Sequence, residues 1–313
     1  MKRLTVFALC LVLVLGLTAC GPAETPGTPA PAPTEAPAAP APTLPADYTE
    51  APTEAPAENY SLTDLVIVDN DTCSFTVSGT EYNEHLGLQI QVVCENKTDR
   101  PLMFTWNNTS VCGFMYDPFW AEEVAGGKKV NSTIGIDTYA LEQIGVTSVD
   151  EIVFTLNVQD SEEFMNEPAV NEGFVIYPTG KTAETVKYPV YEPKEEDTVI
   201  VENDTLTFII ESVDDELADF YTLNCYIANH TGKNLMISWD DVSVNGFMVD
   251  PFWAAAVSAG KQAYVQIIFY RTDLEAQDIE VVQDVEFNLL VSDYDDWEAD
   301  YLLDEVYTFK PVQ

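Results

Sequence analysis

The side chains whose type and spacing could do chemistry are the aromatics behind an Asp-Pro turn and a run of carboxylates. Gly113–Ala121 matches Gly246–Ala254 at eight of nine positions, reading Gly-Phe-Met-x-Asp-Pro-Phe-Trp-Ala, with Tyr116 or Val249 at x. On an exposed turn, Phe119 and Trp120, and again Phe252 and Trp253, would make an aromatic platform for a sugar or peptide. Asp117 or Asp250 would then hydrogen-bond to the ligand. The competing reading is structural: Asp-Pro starts a turn, and Phe and Trp fold back as a plug, because large aromatics are mostly buried for their area. Agreement between two copies is also what core packing produces, and the residues alone favour the plug.

The carboxylate run is Asp293-Tyr294-Asp295-Asp296-Trp297-Glu298-Ala299-Asp300, matched more weakly by Asp160-Ser161-Glu162-Glu163-Phe164. Calcium takes about six to eight oxygens, which makes Asp293, Asp295, Asp296 and Asp300 a weak candidate set. The register does not fit an EF-hand loop, so a solvated acidic loop is the plainer reading. Catalysis has thin support. His85 and His230 are the two histidines, and Ala218 and Lys97 stand at their counterparts. No GxSxG, HExxH or phosphate-loop pattern occurs. Acid pairs suited to glycoside hydrolysis follow from composition alone. No catalytic residue, cofactor or firm metal site is assigned, and the chain reads as a non-enzyme.

Those segments recur because the chain repeats. Val66–Thr72 returns as Val199–Thr205, and one offset of 133 residues also pairs Trp106 with Trp239 and Pro178 with Pro311, without a gap. The repeat frames are 66–178 and 199–311, each a usual size for a compact domain. In the first frame Leu86, Leu88, Ile90, Val92 and Cys94 alternate with Gly87, Gln89, Gln91, Val93 and Glu95, a half-buried strand. Tyr221, Leu223, Cys225 and Ile227 repeat that face. Cys73, Phe75 and Val77 alternate likewise, with Asn96–Asp99 and Asn229–Gly232 as turns. Further strands are predicted over 101–106, 109–117, 128–136, 150–158 and 173–177. A short helix is predicted over 139–144, capped by Asp137 or Thr138 and ended at Gly145; its equivalent begins near Thr272. The expected fold is all-β: two tandem immunoglobulin-like β-sandwich modules of about seven strands, each with one short crossover helix. The Cys…Trp…Cys hallmark is absent.

Of the later cysteines, Cys73, Cys94 and Cys225 have Leu206, Ile227 and Val92 as counterparts, which suits buried unpaired thiols. A Cys73–Cys94 bridge is an alternative in an oxidising compartment.

Upstream, Lys2-Arg3, an apolar run from Leu4 to Leu17 and a small residue before Cys20 form a secretory leader ending in a lipobox. This resembles a bacterial lipoprotein, in which Cys20 becomes the lipidated N-terminus; two acyl chains anchor stably where one does not. Residues 21–59 hold 11 prolines and no Lys or Arg. That stretch favours extended polyproline II and reaches on the order of 120 Å. The expected organisation is thus 1–19 signal peptide, 20–59 lipidated Cys and disordered Pro/Ala/Thr/Glu-rich linker, 60–178 first module, 179–198 inter-domain linker and 199–313 second module. The net charge of −40 excludes nucleic acid and anionic lipid headgroups as partners.

Asn245–Ala254, the tandem arrangement and the lipobox together resemble uncharacterised bacterial surface lipoproteins with tandem immunoglobulin-like modules. The resemblance implies fold and location and supplies no catalytic residue. The expected protein is anchored on the extracellular face of the cell membrane through Cys20 and binds an extracellular protein, peptide or glycan. The alternatives are an envelope spacer with no small ligand and, third, a surface hydrolase.

Overall fold

The computed structural model describes residues 60–296 and 298–311, all within the compact unit Glu54–Gln313. The leader, Cys20 and the Pro-rich linker therefore lie outside the described residues, as does Trp297.

The first half of this unit runs β1 (Leu65–Asp69), β2 (Cys73–Asn83), β3 (Gly87–Asn96), β4 (Leu102–Val111), β5 (Phe114–Met115), β6 (Ala121–Val124) and β7 (Lys129–Ile136). Helix α1 (Thr138–Gln143), β8 (Ile152–Asp160) and β9 (Val170–Ile176) complete it. The second half repeats every element: β10 (Thr198–Glu202), β11 (Leu206–Asp214), β12 (Phe220–Asn229), β13 (Leu235–Val244), β14 (Phe247–Met248), β15 (Ala254–Val257), β16 (Gln262–Tyr270), α2 (Arg271–Glu275), β17 (Val285–Asp293) and β18 (Leu303–Phe309).

Each half is an immunoglobulin-like sandwich. One sheet has the order β1-β2-β3-β7; the facing sheet is β4-β8-β9, with β5 and β6 both on the free side of β4. The chain crosses between sheets from β3 to β4 and again from β7 through α1 to β8, which is the Greek-key path of that architecture. Alternation puts Leu88, Ile90, Val92 and Cys94 of β3 inside, all essentially inaccessible. Leu86, expected on the same face, is instead exposed. It sits in the β2–β3 turn, and Gly87 follows with φ +72°, so the alternation starts one step later.

Other departures from expectation also have local causes. Residues 101–106 and part of 109–117 form one strand, β4, because a bulge absorbs the irregularity: its register to β8 shifts between Asn107 and Ser110, with Asn108 at φ 49°. Asp241 repeats this in β13 at φ 50°. Strands β1 and β6 went unread, and β5 is a separate piece of the strand expected over 109–117, giving nine strands per half; such short pieces lack a period long enough to see. The helix cap is Asp137, whose carboxylate accepts from the backbone N–H of Tyr139 and Ala140. Among the described residues no helix is long and apolar enough to cross a membrane.

Two buried asparagines tie the sheets together. Asn96, at the end of β3, donates to the carbonyls of Arg100 and of Val124 on β6, at 2.6 and 2.7 Å, and its oxygen accepts from Thr98. Asn229 repeats the clamp on Lys233 and Val257. Asn70 and Asn203 likewise have structural duties, each capping a turn through its side-chain oxygen.

The two sandwiches meet edge to edge. Gln262 of β16 bridges Phe114 of β5 in parallel, its N–H donating to the Gly113 carbonyl at 2.9 Å, and this joins the second sheet of the first half to the first sheet of the second half. Phe114 stacks on Tyr264 with centroids 5.5 Å apart. Residues 179–198 pack over this seam. Tyr188 donates to the buried Glu151 and accepts from Lys261, while Tyr191 stacks on Tyr226 at 4.1 Å.

Replacing Asn229 by Ala takes the buried side-chain donor from the Val257 carbonyl, and part-buried ones from Lys233 and Ser258, and should cost about 1–3 kcal/mol. Urea denaturation of Asn229→Ala against the parent chain reads this; a loss under about 0.5 kcal/mol would show the clamp to be dispensable.

Candidate functional site

Within each Asp-Pro-Phe-Trp turn the four residues play different parts. Proline fixes its own φ and starts the reversal. The carboxylate of Asp117 accepts the backbone N–H of Phe119 at 2.8 Å, and Asp250 accepts that of Phe252 at 2.7 Å. These are Asx turns, so each Asp organises its own loop. The tryptophan then turns inward. Trp120 is 9 % exposed, lies edge-on to Phe75 at 5.9 Å, and donates its indole N–H to Ser132 Oγ at 3.0 Å. Trp253 is half-buried against Phe208 and Trp239; Val265 stands where Ser132 was.

Phenylalanine does the opposite. Phe119 is 92 % exposed and Phe252 91 %. Both have positive φ, 48° and 49°. A bulky non-glycine residue in that region is an outlier, at a cost of about 1–3 kcal/mol. Glycine or asparagine would relieve the strain, and any polar residue would relieve the exposure. Met165 is as exposed, but its counterpart is Glu298, so an exposed apolar side chain is not repeated there. The aromatic expectation therefore divides: the tryptophans plug the sandwich, and the phenylalanines stand out from it.

The rest of the nine-residue match divides too. Phe114 is 1 % exposed at the seam between sandwiches, and Met115 packs on the second core. Their counterparts Phe247 and Met248 are 49 % and 65 % exposed. Tyr116 reaches back to accept the Asp137 N–H with its hydroxyl at 2.8 Å, linking this turn to the cap of α1. The seam went unread because its signal is a loss of identity between copies: Tyr226 and Tyr264 stand opposite Val93 and Asn131.

The carboxylate run does not assemble a metal centre. Among the described residues no group of three or more His, Cys, Asp or Glu side chains is placed to hold a metal ion. Asp293 is paired with Lys233 at 2.7 Å, Asp295 accepts from Asn234, and Asp296 caps the N–H of Glu298; Asp300 is exposed. In the first copy Arg100 holds Asp160, Glu162 and Glu163 in the same way. The run is a loop fastened by one cation in each copy.

All four described cysteines are free and buried, so the Cys73–Cys94 bridge is not formed. Burial pushes the Cys73 thiol up to about 11 and Cys94 to about 12, where neither is a nucleophile. Cys112, at φ 47°, bonds Ser148 and Asp150 as Asn245 bonds Val281 and Gln283 in the other copy. His85 lies beside Glu84 on the surface, and His230 contacts Thr207.

No protein-family model matches the chain, and no curated protein matches it. Among solved structures it is similar to the Salmonella enterica SafA pilin in complex with the SafB chaperone, at 8 % identity over 77 % of this chain and 98 % of that one. The TM-score is 0.20, too low to bear on fold or function.

The division of the turn has a direct test in stability. Trp120→Ala should cost about 3–5 kcal/mol, while Phe119→Ala should stay within about 0.5 kcal/mol of the parent. Both are read by urea denaturation, and a Phe119→Ala loss as large as that of Trp120→Ala would place Phe119 in the packing instead.

Proposed function

We propose that this chain is a non-enzymatic binding protein of the bacterial cell surface, held to the extracellular face of the membrane through a lipidated Cys20. Its two sandwiches would stand off the membrane on the Pro-rich segment and display one rigid aromatic contact each. The observation that carries this reading is the pair Phe119 and Phe252, almost fully exposed on strained, Asx-capped turns in both copies. Exposed aromatic rings on a fixed backbone stack on sugar faces or peptide side chains with little ordering cost. The acidic surface favours a neutral or cationic extracellular glycan, peptide or protein over polyanions.

A second reading, an envelope spacer without a small ligand, draws on the seam. Phe114 on Tyr264, with Tyr188 and Tyr191 packed over the join, resists bending between the sandwiches. A stiff rod is what a spacer needs, and a binding module needs it less.

The two readings part in one experiment. The chain is immobilised and offered purified cell wall, a panel of soluble glycans, and extracellular peptides, beside a Phe119→Ala/Phe252→Ala double variant. The binding reading expects capture that the double variant loses by at least about tenfold while its circular dichroism is unchanged. Equal capture by both chains would overturn the aromatic turns as the contact, and no capture by either would overturn the binding reading and leave the spacer.

A further inference from the structure

The two copies differ beside their short helices. In the first, Tyr60 and Tyr82 stack at 6.1 Å against Thr138, Glu142 and Val146, and the space left over is about 10 Å³. At the same place in the second, Asp215 stands for Tyr82, and no ring takes the place of Tyr60 among the residues that line it. There a cavity of about 400 Å³ opens, within the range of small-molecule sites. Its apolar wall is Leu274, Ile279 and Val282, and its acidic rim is Glu275, Asp278 and Glu280.

Tyr221 also lines this cavity. It is 3 % exposed, and its hydroxyl is buried without a hydrogen-bond partner. The first copy has Leu88 at that position, fully buried, so the fold accepts an apolar side chain there. Burial, with the Asp215 carboxylate near, keeps Tyr221 a neutral phenol. Arg271 is occupied: it donates to the Leu217 carbonyl at 3.0 Å and pairs with Asp215. The carboxylates left over set the sign of the site.

We propose that the second sandwich binds a small organic cation here, an amine or guanidinium on an apolar or aromatic stem. The stem lies on Leu274, Ile279 and Val282, in the space that Tyr60 and Tyr82 fill in the first copy. The charged end meets Glu275, Asp278 and Glu280, and an N–H of the cation is accepted by the Tyr221 oxygen. A free amine and a lysine or arginine side chain of a peptide offer the same chemistry.

Isothermal titration calorimetry on the full chain tests this with tyramine, its uncharged twin p-cresol, and the blocked peptide Gly-Lys-Gly. One-to-one binding of tyramine or the peptide is expected, with p-cresol at least about tenfold weaker. Which of the two binds tighter assigns the source as a free amine or a side chain. Tyr221→Phe, and separately Glu275→Gln/Glu280→Gln, should each weaken binding at least about fivefold. Both variants keep shape, and the glutamine pair leaves the packed wall untouched. Phe119→Ala/Phe252→Ala should leave it unchanged, so the result stands apart from that of the aromatic turns. No saturable binding up to about 10 mM, p-cresol binding as well as tyramine, or binding indifferent to both variants would overturn the proposal.

Discussion

A stack of aromatic rings between two sheets governs this molecule. Trp106 lies on Phe154 at 3.8 Å, and Trp239 on Phe287 at 3.6 Å, each between strands of the same sheet and facing Phe75 or Phe208 across the core. The last gap in that layer is closed by Trp120 or Trp253 from the connecting loop. Once that tryptophan must point inward, the residue before it has to leave the packing, and a tight Asp-Pro turn gives it no other exit. The conformation of Phe119 thus follows from a demand made by the core on its neighbour. The cluster is held at some cost: the indole N–H groups of Trp106 and Trp239 are buried without partners in both copies, and ring contact outweighs that loss.

The repeat was legible because every structural element kept its offset, down to the bulges at Asn108 and Asp241. Alternation in β2 and β3 and the cap at Asp137 were equally plain, since period and capping are local signals. What could not be read were contacts between distant segments. Nothing near Phe114 in the chain announces Tyr264, and nothing near Asp215 announces that Tyr60 is missing from its side. The nine-residue segment shared at eight positions was the most misleading signal: its residues lie in a seam, in a core and in solvent, and near-identity between copies hid the difference. In the other direction, clustered acids suggested a metal, yet Lys233, about 60 residues away in sequence, pairs with Asp293, as Arg100 does with Asp160 in the first copy, and Asp295 and Asp296 are taken up by Asn234 and the Glu298 N–H.

Divergence between the copies is therefore more informative than agreement. Agreement marks what any such sandwich needs: the asparagine clamp, the tryptophan wedge, the cation under the acidic loop. Divergence marks what each copy does. Tyr226 and Tyr264 exist to receive a neighbour, where Val93 and Asn131 face water. Tyr82 and Leu88 fill a space that Asp215 and Tyr221 leave open and polar.

The seam has a further consequence in terms of symmetry. Strand β5 of one sandwich meets β16 of the other, so the contact is heterologous and has no two-fold axis to close it. Each sandwich therefore brings a different surface to the contact. At one end of the pair Val93 and Asn131 stand where the receiving rings Tyr226 and Tyr264 stand in the second sandwich. At the other end Phe247 and Met248 keep the donor surface, uncovered. The two ends of the sandwich pair are therefore chemically unlike each other: one carries exposed Phe247 and Met248, the other Val93 and Asn131.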